Sequence, residues 1–279
     1  MLRASTRLGI CAALCVVTAC GSETERTVTA PDPIEPGATD AGHEHDAKPP
    51  VVLPPTPPPP VVDAGPTRDP EACRKLPVLV RDFNASHPDF ERYTSDFEYR
   101  GLVADVLGDD KTPTYLPTGG TPVTTGPSEF AQWYHDVPGI NIAVPVDLML
   151  VEQSPGLYVY DSKAFFPVDG AGFNEQTQGH NFSFTTEIHT SFTYQGGERF
   201  TFIGDDDLWL FINGKLAIDL GGTHPELRGT VDLDAQAAQF SIEKGKEYRM
   251  DIFHAERHTP GSNFHIETSI ECFVPVVVI

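Results

Sequence analysis

The chain has 279 residues and a formal net charge of −21. Its length allows one large domain with a sizeable core beside shorter flanking segments. The charge argues against nucleic acid and anionic lipid surfaces as partners, since both repel such a chain, and is compatible with a divalent-cation site and with solubility outside the cell.

Arg3 and Arg7 precede an apolar run, Leu8 to Val17, followed by Thr18, Ala19 and Cys20. The run is shorter than the ~20 residues a bilayer core requires, so it predicts a signal peptide over residues 1–19. The small residues before Cys20 resemble the lipobox of bacterial lipoproteins. That resemblance implies acylation at Cys20 and an exported chain whose membrane contact is this lipid anchor alone, at the outer membrane or cell surface. Gly21 points, by the same resemblance, to the outer membrane. An ordinary secretory signal enclosing Cys20 is the alternative, and it also exports the chain.

Residues 20–70 form an acylated cysteine and a linker rich in Pro, Thr, Ala, Glu and Asp, ending near Val51-Val52-Leu53-Pro54-Pro55. Such composition predicts a disordered, partly polyproline spacer. His43 and His45 lie in it beside Glu44 and Asp46, and read as solvated linker rather than metal ligands. Cys11 and Cys15 leave with the signal and Cys20 carries lipid, so Cys73 and Cys272 remain, one at each end of the globular part. In an oxidising compartment they predict a disulfide; two unpaired thiols are the alternative.

Residues 71–273 read as one β domain. Ser128 to Tyr134 is the one helical stretch, with Phe130, Trp133 and Tyr134 at i, i+3 and i+4 behind Ser128 as cap. Phe182, Phe184, Ile188, Phe192 and Tyr194 recur on alternate positions, as in a strand with one buried face. A run from Phe200 to Phe211 leads into Asn213-Gly214, and Leu216, Ile218 and Leu220 follow, which predicts a hairpin. Phe240 and Ile242, a turn at Lys244-Gly245-Lys246, and Tyr248, Met250 and Ile252 predict another. Phe264, Ile266 and Ile270 share a parity with Cys272. The fold class is all-β: an antiparallel β-sandwich of jelly-roll type with long loops and at most short helices.

Nine segments carry a family resemblance: Arg81-Asp82-Phe83, His87-Pro88-Asp89-Phe90-Glu91, Phe130 to Tyr134, Phe165 to Gly170, His180 to Phe184, Phe202 to Gly214, Asp219 to His224, Phe253 to His258 and Ser262-Asn263-Phe264. In this order they resemble the fibro-slime domain over nearly all of residues 76–270. The C-terminal half, about 175–272, resembles the protective-antigen-type β-sandwich of toxins, glycosidases and yeast adhesins. The resemblance implies an adhesion or extracellular-matrix role and, in the adhesin branch, sugars held through calcium.

The same resemblance places the calcium-ligating aspartate pair at Asp205 and Asp206 and a ligating asparagine at Asn263. Calcium takes six to eight oxygens, and adjacent carboxylates supply hard, charged ones. The alternative is a turn whose carboxylates accept backbone N–H groups or pair with Arg257. The chain departs from the adhesin pattern at Asp207, where glycine is usual, and in the charged run Glu256-Arg257-His258. Asp207, Trp209, Glu256, Arg257 and His258 are candidate ligand contacts, Trp209 reading as core packing with a sugar-stacking platform as the alternative. Asp219 and His224 are candidate supports behind the site.

His254 and His258 have the spacing of a zinc hydrolase pair, but the glutamate is misplaced and His254 continues a strand, on which four residues span ~13 Å. No catalytic motif stands out, so no enzyme activity is expected. The expected function is a calcium-assisted carbohydrate-binding module for adhesion, with a glycan or extracellular-matrix component as partner. A structural matrix protein acting through protein contacts, without sugar or metal, is the alternative.

Overall fold

The computed structural model describes residues 69–277 apart from Thr94, Glu175 and Gln176. The signal peptide, the Cys20 acylation site and the His43 to Asp46 tract lie outside the described residues.

A short helix, α1 (Pro70–Cys73), capped by the Asp69 carboxylate, leads into β1 (Lys75–Phe83). A long irregular stretch follows, holding β2 (Phe97–Glu98) and α2 (Pro127–Phe130), before β3 (Asn141–Met149), β4 (Val151–Ser154) and β5 (Leu157–Ser162). Next come β6 (Phe184–Tyr194), β7 (Arg199–Gly204), β8 (Asp207–Ile212), β9 (Lys215–Leu220), β10 (Gly222–Thr223) and β11 (Leu227–Asp232). An eight-residue helix, α3 (Leu233–Phe240), precedes β12 (Lys246–Glu256), β13 (Phe264–Thr268) and β14 (Val274–Pro275).

The strands make two large antiparallel sheets, one ordered β3-β1-β6-β12-β8-β9 with β14 also paired to β6, the other β11-β7-β13-β5-β4, while β10 and β2 form a separate two-stranded one. Even-numbered residues of the first sheet, among them Ile188, Phe192, Leu208, Leu210, Met250 and Ile252, share one core with Phe200, Phe202, Phe264 and Ile266 of the second. This is the expected antiparallel sandwich, with period-2 burial on its inner face. The Asn213-Gly214 hairpin forms between β8 and β9, both residues having positive φ of 50° and 72°. Cys73 and Cys272 are disulfide-bonded.

Three local expectations are corrected. The apolar run from Phe200 to Phe211 is two strands in different sheets, broken at Asp205-Asp206. It reads as continuous because β8 is buried on both faces: Trp209 and Phe211, with Phe253 and Ala255 of β12, pack under Leu102, Val123, Phe130, Trp133 and Tyr134 of the segment that covers the outer face. Phe240 belongs to α3 rather than to a strand; Asp232 caps this alanine-rich helix by accepting from Ala235 N–H, and Ser241 ends it in the left-handed region. The helix expected over Ser128 to Tyr134 is the single turn Pro127–Phe130, with Gly126 at its cap and a proline in its first turn.

Beyond the cover, the outer face carries a chain of ion pairs. Arg81 bonds Glu187, His189 bridges Glu187 (2.5 Å) and Asp251 (2.6 Å), and Arg249 reaches Asp251 (2.9 Å). Burial pulls the His189 imidazole down, but its bonds to Asp251 and Glu187 outweigh this and hold it above its ordinary 6.5. Burial raises Glu187, yet His189 and Arg81 leave it below its ordinary 4.5. The imidazolium therefore contributes stability that is fully present below pH 6.5 and lost as pH rises through the raised folded value. The Glu187 contribution is present above pH 4.5 and lost as pH falls through the depressed one. Thermal melts of the protein and of His189→Gln from about pH 5 to about pH 9 are expected to converge toward the alkaline end. Parallel profiles would exclude the imidazolium as the cause.

Candidate functional site

Asp205 and Asp206 sit where the chain crosses from β7 of one sheet to β8 of the other. A crossing at the rim of a sandwich leaves the strand ladders, so the backbone there must turn sharply; Asp206 does so with φ 50°. Gly204 lets the loop before β13 come close, since a Cβ there would lie 2.5 Å from the Asn263 carbonyl.

Around this crossing lies a cleft of ≈ 420 Å³. The crossover gives it Asp205 and Asp206, the turn after β10 gives His224 and Glu226, the loop before β13 gives His258 and Asn263, and the segment before β2 gives Tyr93, Ser95 and Asp96. The walls are stitched together. Asn263 donates its backbone N–H (3.0 Å) and Nδ2 (2.7 Å) to Asp205 Oδ2, Asp206 N–H donates to the His224 carbonyl (3.3 Å), and Arg257 N–H donates to Asp206 Oδ2 (2.6 Å).

The cleft is acidic. Asp96, Asp205, Asp206 and Glu226 line it; among the described residues no Lys or Arg does, although Lys163 Nζ pairs with Glu226 Oε2 (2.6 Å). Burial raises Asp205 above its ordinary 3.8 despite its bonds to Asn263. Burial pushes Asp206 up to about 7 against the pull of Arg257, with the Asp207 charge adding to the rise. Beneath them Glu256 is fully buried and held well above its ordinary range by burial and then by the charges of Asp206 and Asp205. Neither of its carboxylate oxygens has a hydrogen-bond partner, and the nearby Ser262 hydroxyl donates instead to the Phe165 carbonyl (2.8 Å). Three carboxyls are thus held in a setting that disfavours their charge, which is costly unless protons or a cation neutralise them.

Residues 153–272 match the PA14 domain. The match takes in both aspartates, Asn263, β5 to β13 and the disulfide partner Cys272, but not β1 to β3 or the covering segment. The chain is 41% identical to protein psiC of Dictyostelium discoideum over 203 residues, 67% of this chain and 39% of psiC. It is likewise 41% identical to protein psiD of the same organism over 199 residues, 63% of this chain and 38% of psiD. The chain therefore spans about two fifths of the length of these curated relatives. Among solved structures, a PA14 sugar-binding domain from an RTX adhesin aligns with 40% of this chain and 70% of its own, at 13% identity and a TM-score of 0.24.

Of the residues singled out in the sequence, Asp205, Asp206, Asn263, His224 and His258 meet in the cleft at the rim of the sandwich. Five others do not line the cleft, and four of them, Asp207, Trp209, Glu256 and Arg257, are buried. Trp209 is wholly buried and donates from Nε1 to Asp219 Oδ1 (3.0 Å); it is core. Asp219 also accepts from Gly101 N–H (2.8 Å), so it anchors the cover and does not support the cleft. Asp207 pairs through Oδ2 with Arg257 Nε (2.5 Å), both fully buried, and takes Gly222 N–H on Oδ1 (2.7 Å). Arg257 lies over the Trp133 ring, 4.8 Å from its centroid, and Glu256 faces the core, so neither reaches a bound molecule. His254 also points inward, ringed by Phe165, Phe184, Phe202 and Phe264, and burial lowers it to about 3.

Tyr93, Ser95, Asp96 and Glu226 were not singled out. The first three precede the aspartates by about a hundred positions in an irregular stretch, and neither period nor motif announces them.

As a test of calcium, the donor chemistry fits. Two hard carboxylates and an amide share one solvent-open cleft. Among the described residues no group of three His, Cys, Asp or Glu side chains converges for a metal. The remaining oxygens would have to come from the Asn263 amide, backbone, water and the ligand itself. Asn263 faces Asp205 with Nδ2, so ligation requires the amide to turn over.

Proposed function

We propose that the PA14 domain binds neutral glycans through a calcium ion held by Asp205, Asp206 and Asn263, and that the chain serves adhesion to matrix or to other cells. The observation that carries this is the acidic cleft: it holds four carboxylates and, among the described residues, no Lys or Arg, two of those carboxylates being buried and raised in pKa. Such a cleft repels anions and draws a divalent cation. Bound calcium would supply the positive charge and the open coordination positions to which sugar hydroxyls bind. The proposal includes no bond cleavage. It extends to membership of the fibro-slime group, from the segments between Arg81 and Phe264, and to a surface lipid anchor at Cys20, which rests on residues 3–20 alone. The Cys73–Cys272 bond supports an extracytoplasmic setting.

Melts of the purified exported protein with calcium and with chelator test this. Calcium is expected to raise the midpoint, and the Asp205→Asn/Asp206→Asn variant to abolish the rise, since a ligand of the folded state stabilises it. In chelator at neutral pH, Asp206→Asn alone is expected to be at least as stable as the parent. The raised Asp206 carboxyl means that between pH 3.8 and about 7 the folded state holds a proton the unfolded chain has lost, so stability falls as pH rises through that window and the full loss stands above it, a loss that asparagine does not incur. Absence of any calcium shift in a folded protein would sink the metal site. Self-association indifferent to chelator and sugars would then favour a structural matrix role.

A further inference from the structure

The cleft has a wall that the PA14 match does not contain. Tyr93, Ser95 and Asp96 line it from a segment that ends 55 residues or more before the match begins at 153. This wall is fastened to the same turns that carry the aspartates and Asn263. Glu91 N–H donates to the Arg257 carbonyl (2.8 Å), and the Glu91 carboxylate accepts from Thr259 N–H (3.2 Å). Thr223 Oγ1 donates to the Ser95 carbonyl (2.9 Å), and β2 pairs antiparallel with β10. Gly222, φ 108°, makes that pairing feasible, because a Cβ there would lie 2.2 Å from the Phe97 carbonyl. Both ends of the wall are therefore registered against the cleft, as a preorganised recognition surface must be.

Its two distinctive side chains have complementary chemistry. Tyr93 is half-buried, its hydroxyl 3.3 Å from Thr125 Oγ1 and its ring flanked by the Arg92 guanidinium at 5.6 Å, so it stands in a fixed orientation at the cleft. A fixed aromatic ring beside a polar cleft suits the apolar face of a sugar ring. Asp96 is exposed on the same wall, and Glu226 lines the cleft from the turn after β10. Glu226 is paired with Lys163 Nζ (2.6 Å), so Asp96 is the carboxylate that keeps this wall negative when the ion is bound.

We propose that Tyr93 and Asp96 are specificity-determining residues of the cleft, Tyr93 packing on a neutral sugar ring and Asp96 disfavouring glycans that carry sialic acid or sulfate. This rests on the glycan-binding reading above. The test uses the purified protein in calcium on immobilised hexose-terminated neutral oligosaccharides and their sialylated and sulfated counterparts. Calorimetric titration with calcium alone and a thermal melt accompany each variant. Tyr93→Ala is expected to weaken neutral-glycan binding by about tenfold. Asp96→Asn is expected to raise the acidic-to-neutral binding ratio several-fold. Both should keep calcium affinity within about twofold, because neither is among the proposed ligands; Asp96→Asn should keep the parent's melting midpoint, and Tyr93→Ala should lose only the small stability that its contact with Thr125 supplies. If both variants keep the parent's glycan profile while Asp205→Asn/Asp206→Asn loses it, the wall plays no part and the calcium site stands. If Tyr93→Ala loses calcium affinity, or more stability than that contact supplies, along with glycan binding, its role is structural and the proposal falls. If the parent binds no glycan in calcium, the proposal falls together with the reading beneath it.

Discussion

Cys73→Ser and Cys272→Ser are each expected to lower the unfolding free energy by the same amount, up to about 5 kcal/mol in the chain-entropy account of a cross-link that closes a loop of this length. The bond joins residues separated by 199 positions, so nearly the whole described domain lies inside the loop. Its entropy loss is imposed on the unfolded chain. In the folded state the bond holds α1, at the start of β1, to the segment after β13, where Phe273 N–H also donates to the Cys73 carbonyl (2.9 Å). Urea unfolding of both variants and of the reduced parent checks the expectation: three coincident midpoints support it, and unequal losses in the two serine variants count against it. The calcium response should survive. Ser269 and Cys272 follow β13 whereas Asn263 precedes it, and five residues of strand put ~17 Å between the two ends, far enough for the effects to add.

How much of this was legible in the sequence depended on whether the cause was local. Ile188 and Phe192, Met250 and Ile252, and Phe264 and Ile266 announce strands because one face of each is buried and the period survives. Asn213-Gly214 announces a hairpin because the turn itself demands positive φ. The disulfide followed from cysteine arithmetic. The break at Asp205-Asp206 was hidden because β8 is buried on its outer face as well, by a cover that begins a hundred residues earlier, and a strand buried on both faces loses its alternation. The α3 helix was hidden because only Leu233 and Phe240 of its eight residues are buried, too few to show a period. The cleft was half legible: its aspartates and Asn263 came from the family resemblance, whereas Tyr93 and Asp96 reach it only through tertiary pairing with β10 and the Thr259 loop. Arg257 was misassigned for a related reason. A charged run in a loop ordinarily faces water, and nothing local shows that Trp133, Asp89 and Val123 will close over it.

That burial makes Arg257 the residue whose loss is expected to be most damaging outside the disulfide. Its guanidinium is wholly buried, pairs with Asp207, and donates from Nη1 to the carbonyls of Val123 (2.7 Å) and Asp89 (3.3 Å) while lying on Trp133. One side chain thus joins β12, β8 and two points of the covering segment. Arg257→Met removes the cation paired with Asp207 and leaves that carboxylate buried without its partner, which costs about 3–5 kcal/mol for a pair broken on one side. Arg257→Lys should recover only part, because an ammonium cannot hold the carboxylate and both carbonyls at once in the plane of the indole. The discriminating variant is Arg257→Met/Asp207→Leu. With both charges gone no buried carboxylate is stranded, so the double variant is expected to unfold at higher urea than Arg257→Met alone, although it carries one more substitution. Near-ultraviolet circular dichroism adds a local readout, since Trp133 and Trp209 pack with centroids 6.3 Å apart and planes tilted by 39° between cover and sheet and should lose their fixed environment as the cover loosens. If the double variant instead falls to the sum of its parts, Arg257 acts as a packing element with its charge incidental, and the cover is held by its aromatic contacts alone.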